Sequence, residues 1–123
     1  MGELRLNGIS YSGAISDKDV YSTEEKVVGE WIDGKPIYRK VVKGTLVSNV
    51  PVIHTFNDEI NVVSINGTAY SSAGNQMIVN SYSTGGCFTV YLKSDKKTLT
   101  TEAGTTFVGK EYCVIVEYTK NAD

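Results

Sequence analysis

The sequence predicts an all-β fold, an antiparallel β-sandwich of jelly-roll-like character, with hairpins and at most one short helical turn. Three observations predict it. The apolar residues come in short runs rich in Val, Ile, Thr and Tyr, residues that suit a pleated, half-buried surface. Three dipeptides, Asn7-Gly8, Asp33-Gly34 and Asn66-Gly67, carry the chemistry of tight two-residue hairpin turns, where both central residues need positive φ. Turn signals recur about every 8–12 residues, the rhythm of a sandwich or barrel.

The chain has 123 residues, which favours one domain with a core of its own. Residues 1–20 read as an N-terminal hairpin and lead-in, and residues 21–123 as the sandwich module. In the lead-in, Leu4-Arg5-Leu6 and Ile9-Ser10-Tyr11 flank the Asn7-Gly8 turn. Next, Ser22-Thr23-Glu24-Glu25 matches a capping box, and Val27-Val28 and Gly29 limit it to one helical turn or an extended lead-in.

The stretch EWIDGKPIYRK raises a question of its own. It holds the only Trp and one of two prolines. Lys26 to Ile32 and Pro36 to Val42 read as strands around Asp33-Gly34. Pro36 cannot donate to a ladder, so it belongs at a strand start or an edge. Alternation sets Ile37, Arg39 and Val41 on one face and Tyr38, Lys40 and Val42 on the other. Trp31 beside the turn is expected to cap the core rather than to face a partner.

Further strands are expected at Val50 to Phe56, Ile60 to Ile65, Gln76 to Tyr82, Cys87 to Lys93, and Tyr112 to Thr119. The last alternates most clearly, with Tyr112, Val114, Val116 and Tyr118 opposed to Cys113, Ile115 and Glu117. Val62 to Ile65 and Thr68 to Tyr70 flank the expected Asn66-Gly67 turn. Ser71 to Asn75 and Ser83 to Gly86 read as loops, and Asp95-Lys96-Lys97 as a charged turn.

Charge and composition exclude several classes. The net charge is -2 and no dense Lys/Arg cluster exists, which speaks against a nucleic-acid footprint. No apolar run approaches the ~20 residues of a membrane span. The N-terminus MGELRLNGIS lacks a basic region followed by an apolar stretch, so no secretory signal is expected. Gly2 is not followed by the Ser or Thr that myristoylation wants, because position 6 is Leu6. Cys87 and Cys113 are far apart and the chain has one His, so neither zinc nor any other metal is expected, and both cysteines read as buried thiols.

No catalytic constellation emerges. A Ser-His-Asp triad would need His54, which sits in the strand-like run Pro51-Val52-Ile53-His54-Thr55-Phe56 and reads as structural. No nucleophile elbow surrounds a serine, and Gly85-Gly86 lacks the Gly-Lys-Ser/Thr that completes a P-loop. The carboxylate pairs Glu24-Glu25 and Asp58-Glu59 are sequence neighbours, which point apart on a strand, so neither converges by itself. The chain reads as non-enzymatic and without a cofactor. Its positive feature is tyrosine, with eight against three Phe and one Trp. Tyr70, Asn75, Gln76 and Tyr82 surround the Ser71 to Asn75 loop. Aromatic faces beside amides and hydroxyls suit sugar recognition, and the same composition suits a protein interface.

One stretch carries a resemblance. Tyr21 to Lys40, YSTEEKVVGEWIDGKPIYRK, resembles a segment that recurs in bacteriophage and prophage tail proteins, where it opens the C-terminal module of tail-fibre-like structural proteins. INVVSING at Ile60 to Gly67, VEYTKNAD at Val116 to Asp123 and LNGISYSG at Leu6 to Gly13 are similar to shorter pieces of such modules. The resemblance implies a virion component of the tail, made in the bacterial host cytoplasm. It further implies a β-rich homo-oligomer, with a trimer favoured, other tail proteins as partners, and contact with bacterial surface glycans. The alternative is a tail assembly or adaptor protein without receptor binding.

Overall fold

The computed structural model describes residues 5–6, 9–10, 20–49, 51–83 and 86–123. It is an all-β sandwich. The strands are β1 (Arg5–Leu6), β2 (Ile9–Ser10), β3 (Lys26–Glu30), β4 (Pro36–Thr45), β5 (Val52–Thr55), β6 (Ile60–Tyr70), β7 (Gln76–Ile78), β8 (Ser81–Ser83), β9 (Gly86–Leu92), β10 (Thr98–Ala103) and β11 (Glu111–Lys120). Five form one antiparallel sheet in the order β3-β4-β11-β6-β7, and four form a second in the order β5-β10-β9-β8. β1 and β2 pair as a separate two-stranded unit with Leu6 opposite Ile9. The expected Asn7-Gly8 turn lies outside the described residues, as do Val50 and the Thr84-Gly85 part of the second expected loop.

β11 organises the core. It is the centre of the larger sheet, paired with β4 on one side and β6 on the other. Its alternation is the one expected: Tyr112, Val114, Val116 and Tyr118 are buried, while Cys113, Ile115 and Glu117 are half-buried on the opposite face. The buried set meets Phe88, Val90, Leu99 and Ala103 from the smaller sheet, with Leu46, Phe56 and Phe107 filling the ends. Phe56 and Tyr118 cross edge to face with centroids 4.8 Å apart. Each such side chain contributes roughly 2–3 kcal/mol through apolar burial.

The EWIDGKPIYRK hairpin is now explained. Its loop has three residues rather than two. The Gly34 N–H donates to the Trp31 carbonyl at 2.9 Å, the Trp31 N–H donates to the Lys35 carbonyl at 2.8 Å, and Gly34 alone takes positive φ (87°). This is a type I turn closed by a left-handed glycine, in which Asp33 keeps ordinary dihedrals and its Oδ1 accepts the Lys35 N–H. Pro36 stands first in β4 opposite Glu30, where no inner ladder bond is lost. Trp31 is half-buried at the hairpin base and is not part of the core, which corrects its expected capping role. The Ser71 to Asn75 loop repeats the same geometry, with Gly74 at φ 85°.

Two other expectations are corrected. Asn66-Gly67 makes no turn: β6 runs through both residues as one strand. Gly67 has φ 147°, and a Cβ there would lie 2.2 Å from the Cys113 carbonyl oxygen. The glycine answers the close approach of β11, not a reversal. Gln76 to Tyr82 is not one strand, because Asn80 takes a left-handed conformation (φ 63°) and moves the chain from the larger sheet at β7 to the smaller at β8. Asn tolerates that region better than most residues. Thr98–Ala103, to which the sequence analysis assigned no element, is the inner strand β10. Of the two expectations for Ser22 to Glu25, the non-helical lead-in is the one found, with Ser22 Oγ accepting the Glu24 N–H at 3.0 Å. Among the described residues, the one helical turn is a 3-10 helix over Thr105–Phe107.

Candidate functional site

The four candidate residues separate. Tyr70 and Gln76 face each other as a register pair across β6 and β7. Asn75 adjoins them in the hairpin loop, where its main chain, not its side chain, makes the contacts: its N–H donates to Ser71 Oγ and its carbonyl accepts from the Ser71 N–H. Tyr82 stands on β8, in the other sheet.

Tyr70 and Gln76 open onto a cleft of about 460 Å³ on the outer face of the larger sheet. Lys43, Gly44 and Thr45 of β4 form one wall. Thr68, Tyr70 and Gln76 form the other, with Glu111, Tyr112 and Cys113 of β11 as the floor. Alternation explains the set. Gln76, Ile78, Thr68, Cys113, Lys43, Glu111 and Thr45 all lie on outward-facing register positions. Tyr70 is 42% exposed. The Gln76 amide nitrogen donates to Thr68 Oγ1 at 2.9 Å, which orients the amide. Tyr112 lies across Gly44, and burial pushes its phenol above the ordinary value.

The loop beside this cleft is tied down. The Ser72 N–H donates to the Thr106 carbonyl at 2.7 Å, and the Ser72 and Thr106 hydroxyls share a 2.8 Å hydrogen bond. Side chain and backbone together clasp the β6–β7 loop to the 3-10 helix. The Tyr70–Gln76 pair therefore sits between a sheet and a fixed loop.

A second, more polar cleft of about 290 Å³ opens at one end of the sandwich. Here one carboxylate from each locally diverging pair, Glu25 and Asp58, meets the same lysine. Lys120 Nζ lies 2.9 Å from Glu25 Oε2 and 3.6 Å from Asp58 Oδ2. The Tyr118 hydroxyl donates to Glu25 Oε1, and Lys120 lies over the Tyr38 ring, 4.4 Å from its centroid. Burial alone would raise the Glu25 carboxyl, but the bonds from Lys120 and Tyr118 outweigh it and hold Glu25 below its usual value. Burial first, then the Glu25 bond, push the Tyr118 phenol up. The Glu25 bond raises Lys120. Each shift favours the charged pair and the neutral phenol, so the cluster is an ion-pair clamp.

His54 lines the same cleft, edge-on to Phe56 with centroids 4.6 Å apart. Burial, reinforced by Lys40, lowers its pKa, so it is neutral at pH 7. Cys87 and Cys113 are free thiols on different sheets, half-buried rather than buried. Among the described residues, no group of three or more His, Cys, Asp or Glu converges as a metal site. Among them also, no helix is long and apolar enough to cross a membrane.

Sequence reasoning found Tyr70 and Gln76 by their place around a loop. It missed Lys43, Glu111 and Cys113, which come from two distant strands. The alternation of β11 was the one available signal, since it sets Cys113 opposite the core residues. In comparison with known proteins, the chain matches no family model, no curated protein and no solved structure.

Proposed function

We propose that the chain is a non-enzymatic structural and receptor-binding module of a bacteriophage tail, which contacts glycans on the bacterial surface through the Tyr70 cleft. The observation that carries the glycan reading is Tyr70 itself: an exposed ring at the mouth of an open cleft, flanked by an amide and a hydroxyl already oriented by each other. A ring face packs on the C–H groups of a sugar while the polar neighbours meet its hydroxyls. The Tyr21 to Lys40 resemblance supports the tail assignment. The absence of catalysis in this reading draws support from the Glu25–Lys120–Asp58 cluster, where one ammonium is engaged by two carboxylates.

Binding through one such cleft is weak and gains from repetition, in keeping with a homo-oligomer, a trimer in this reading, within the virion. The test is staining of a panel of bacterial strains by the fluorescent protein on a trimerising scaffold. Strain-selective staining that sugar competes away, and that Tyr70→Ala with Gln76→Ala abolishes while the fold persists, is the expected result. Staining untouched by that double variant would remove the site.

A second reading, an assembly or adaptor protein without a receptor, is favoured by two exposed apolar side chains. Ile78 on β7 is 68% exposed beside the cleft, and Ile32 at the hairpin tip is 91% exposed. An absence of staining on every strain, together with capture of other tail proteins lost on Ile78→Ser, would select it.

A further inference from the structure

Resting on the glycan reading of the cleft, we propose that its ligand is an uncharged sugar bearing vicinal hydroxyls, stacked on Tyr70 and held by the Glu111 carboxylate. Tyr70 and Glu111 each lie one residue beyond the Tyr112–Ala69 pair, so they stand opposite each other across β6 and β11. Directly opposed residues on a sheet face have Cβ atoms about 5 Å apart. A carboxylate only accepts hydrogen bonds, and its two oxygens match two adjacent hydroxyls.

Gln76 adds a second acceptor. One of its two amide N–H groups donates to Thr68 Oγ1, and its amide oxygen can accept from a ligand hydroxyl. The Glu111 carboxylate calls for a ligand group that donates, which sugar hydroxyls do and carboxylate or sulfate groups do not. The one cation of the cleft, Lys43, pairs with Cys113 on the row of Thr68 rather than that of Tyr70. Lys43 and Glu111 leave the cleft without net charge. An anionic polymer would gain nothing there overall and would meet Glu111 beside the ring.

The experiment uses the full chain on a trimerising scaffold, with neutral polysaccharides (a mannan, a galactan and a glucan) and the anionic alginate, in 0.05 M and 0.5 M salt. The expected result is retention on a neutral polymer at both salt concentrations, because an uncharged ligand has no screened attraction to lose. Periodate cleavage of the vicinal diols, followed by reduction, should abolish that retention. Glu111→Gln, with an unchanged circular dichroism spectrum, should weaken it about tenfold, as loss of a charged hydrogen bond does. Preference for alginate that collapses in salt would overturn the ligand class and leave the glycan reading standing. Full affinity in Glu111→Gln, or after periodate, would overturn the role of the carboxylate. Retention on no polysaccharide by a folded protein would overturn the glycan reading itself.

Discussion

Tyr118 and Glu25 are joined by a hydrogen bond that spans 93 residues of chain. Tyr118 belongs to the central strand of the larger sheet, and its side chain is fully buried. Glu25 precedes the edge strand β3. Through this bond the segment before β3 is fastened to the end of the core. Lys120 doubles the attachment from the same strand. Nearby, the Ser22 carbonyl accepts the Val41 N–H, and Lys40 Nζ donates to the Thr23 carbonyl.

Tyr118→Phe keeps the ring packing and removes the bond. It should lower stability by about 1–2 kcal/mol, read as a reduced urea midpoint at constant m-value. The acid limb is more specific. Glu25 holds its proton less tightly in the fold than in the unfolded chain, so its contribution is complete above about pH 4.5 and is lost as pH falls through the lower folded value. Glu25→Gln should therefore be less stable than the native protein at pH 7 and approach it below pH 4. A gap that stays constant from pH 7 to pH 3 would contradict the linkage.

His54 works with the opposite proton. Its folded pKa lies below the ordinary 6.5, first through burial and then through Lys40. The unfolded chain takes up that proton more readily, so stability should decline as pH drops through about 6.5 and level off below the folded value. In NMR the His54 ring protons should titrate below 6.5, and Lys40→Met should move the midpoint upward. A midpoint at or above 6.5 would refute the placement.

Thr101 is fully buried on β10, and its hydroxyl finds no hydrogen-bond partner among the described residues. Its neighbour Thr100, equally buried, donates to the Pro51 carbonyl at 2.8 Å. Thr101→Val has nearly the same shape and removes the desolvated hydroxyl, so it should raise stability by about 1 kcal/mol. Thr100→Val should lower it, because the Pro51 carbonyl would lose its shorter hydrogen bond and keep only the 3.2 Å bond from the Thr101 N–H. Denaturant midpoints of the two variants moving in the same direction would count against this assignment.

Gly67 and Gly34 both have positive φ but differ in surroundings. A methyl at Gly67 would run into the backbone of Cys113 and Val114, whereas nothing lies within 4 Å of one at Gly34. Gly34→Ala should cost about 1 kcal/mol, the conformational penalty alone. Gly67→Ala has to displace β11, the centre of the sheet, and should cost well over ~3 kcal/mol or prevent folding. Thermal midpoints rank the two.

The Ser72–Thr106 clasp should show itself in exchange. Thr106→Val removes the hydroxyl that meets both the Ser72 N–H and Oγ. Amide exchange in the Ser71 to Asn75 loop should quicken severalfold while the β11 amides stay protected. Under the glycan reading, ligand affinity should fall with it. Unchanged loop exchange would show that the backbone bond suffices.

Much of this molecule follows from local chemistry. The sandwich class follows from short Val/Ile/Thr/Tyr runs, and the two faces of β11 follow from its period of two. A glycine sits in the left-handed position of both three-residue hairpin loops, and a proline opens β4. Each of these depends on a few neighbours along the chain, so the sequence by itself determined them. What it could not determine depends on which distant strand lies alongside. Asn66-Gly67 has the composition of a turn, yet β11 passes so close that the glycine serves as clearance in a continuous strand. Thr98–Ala103 lacks a clear alternation because its core face mixes Leu99 and Ala103 with a buried Thr101, and Thr100 on the other face is buried too. Glu25 and Asp58 look like two solvated loop carboxylates until Lys120 arrives between them. Tyr70 and Tyr82 look like partners across a loop until Asn80 sends the chain to the other sheet. Pairing and burial are non-local, with partners set by the competition of every strand for the core, and only the tertiary structure decided them.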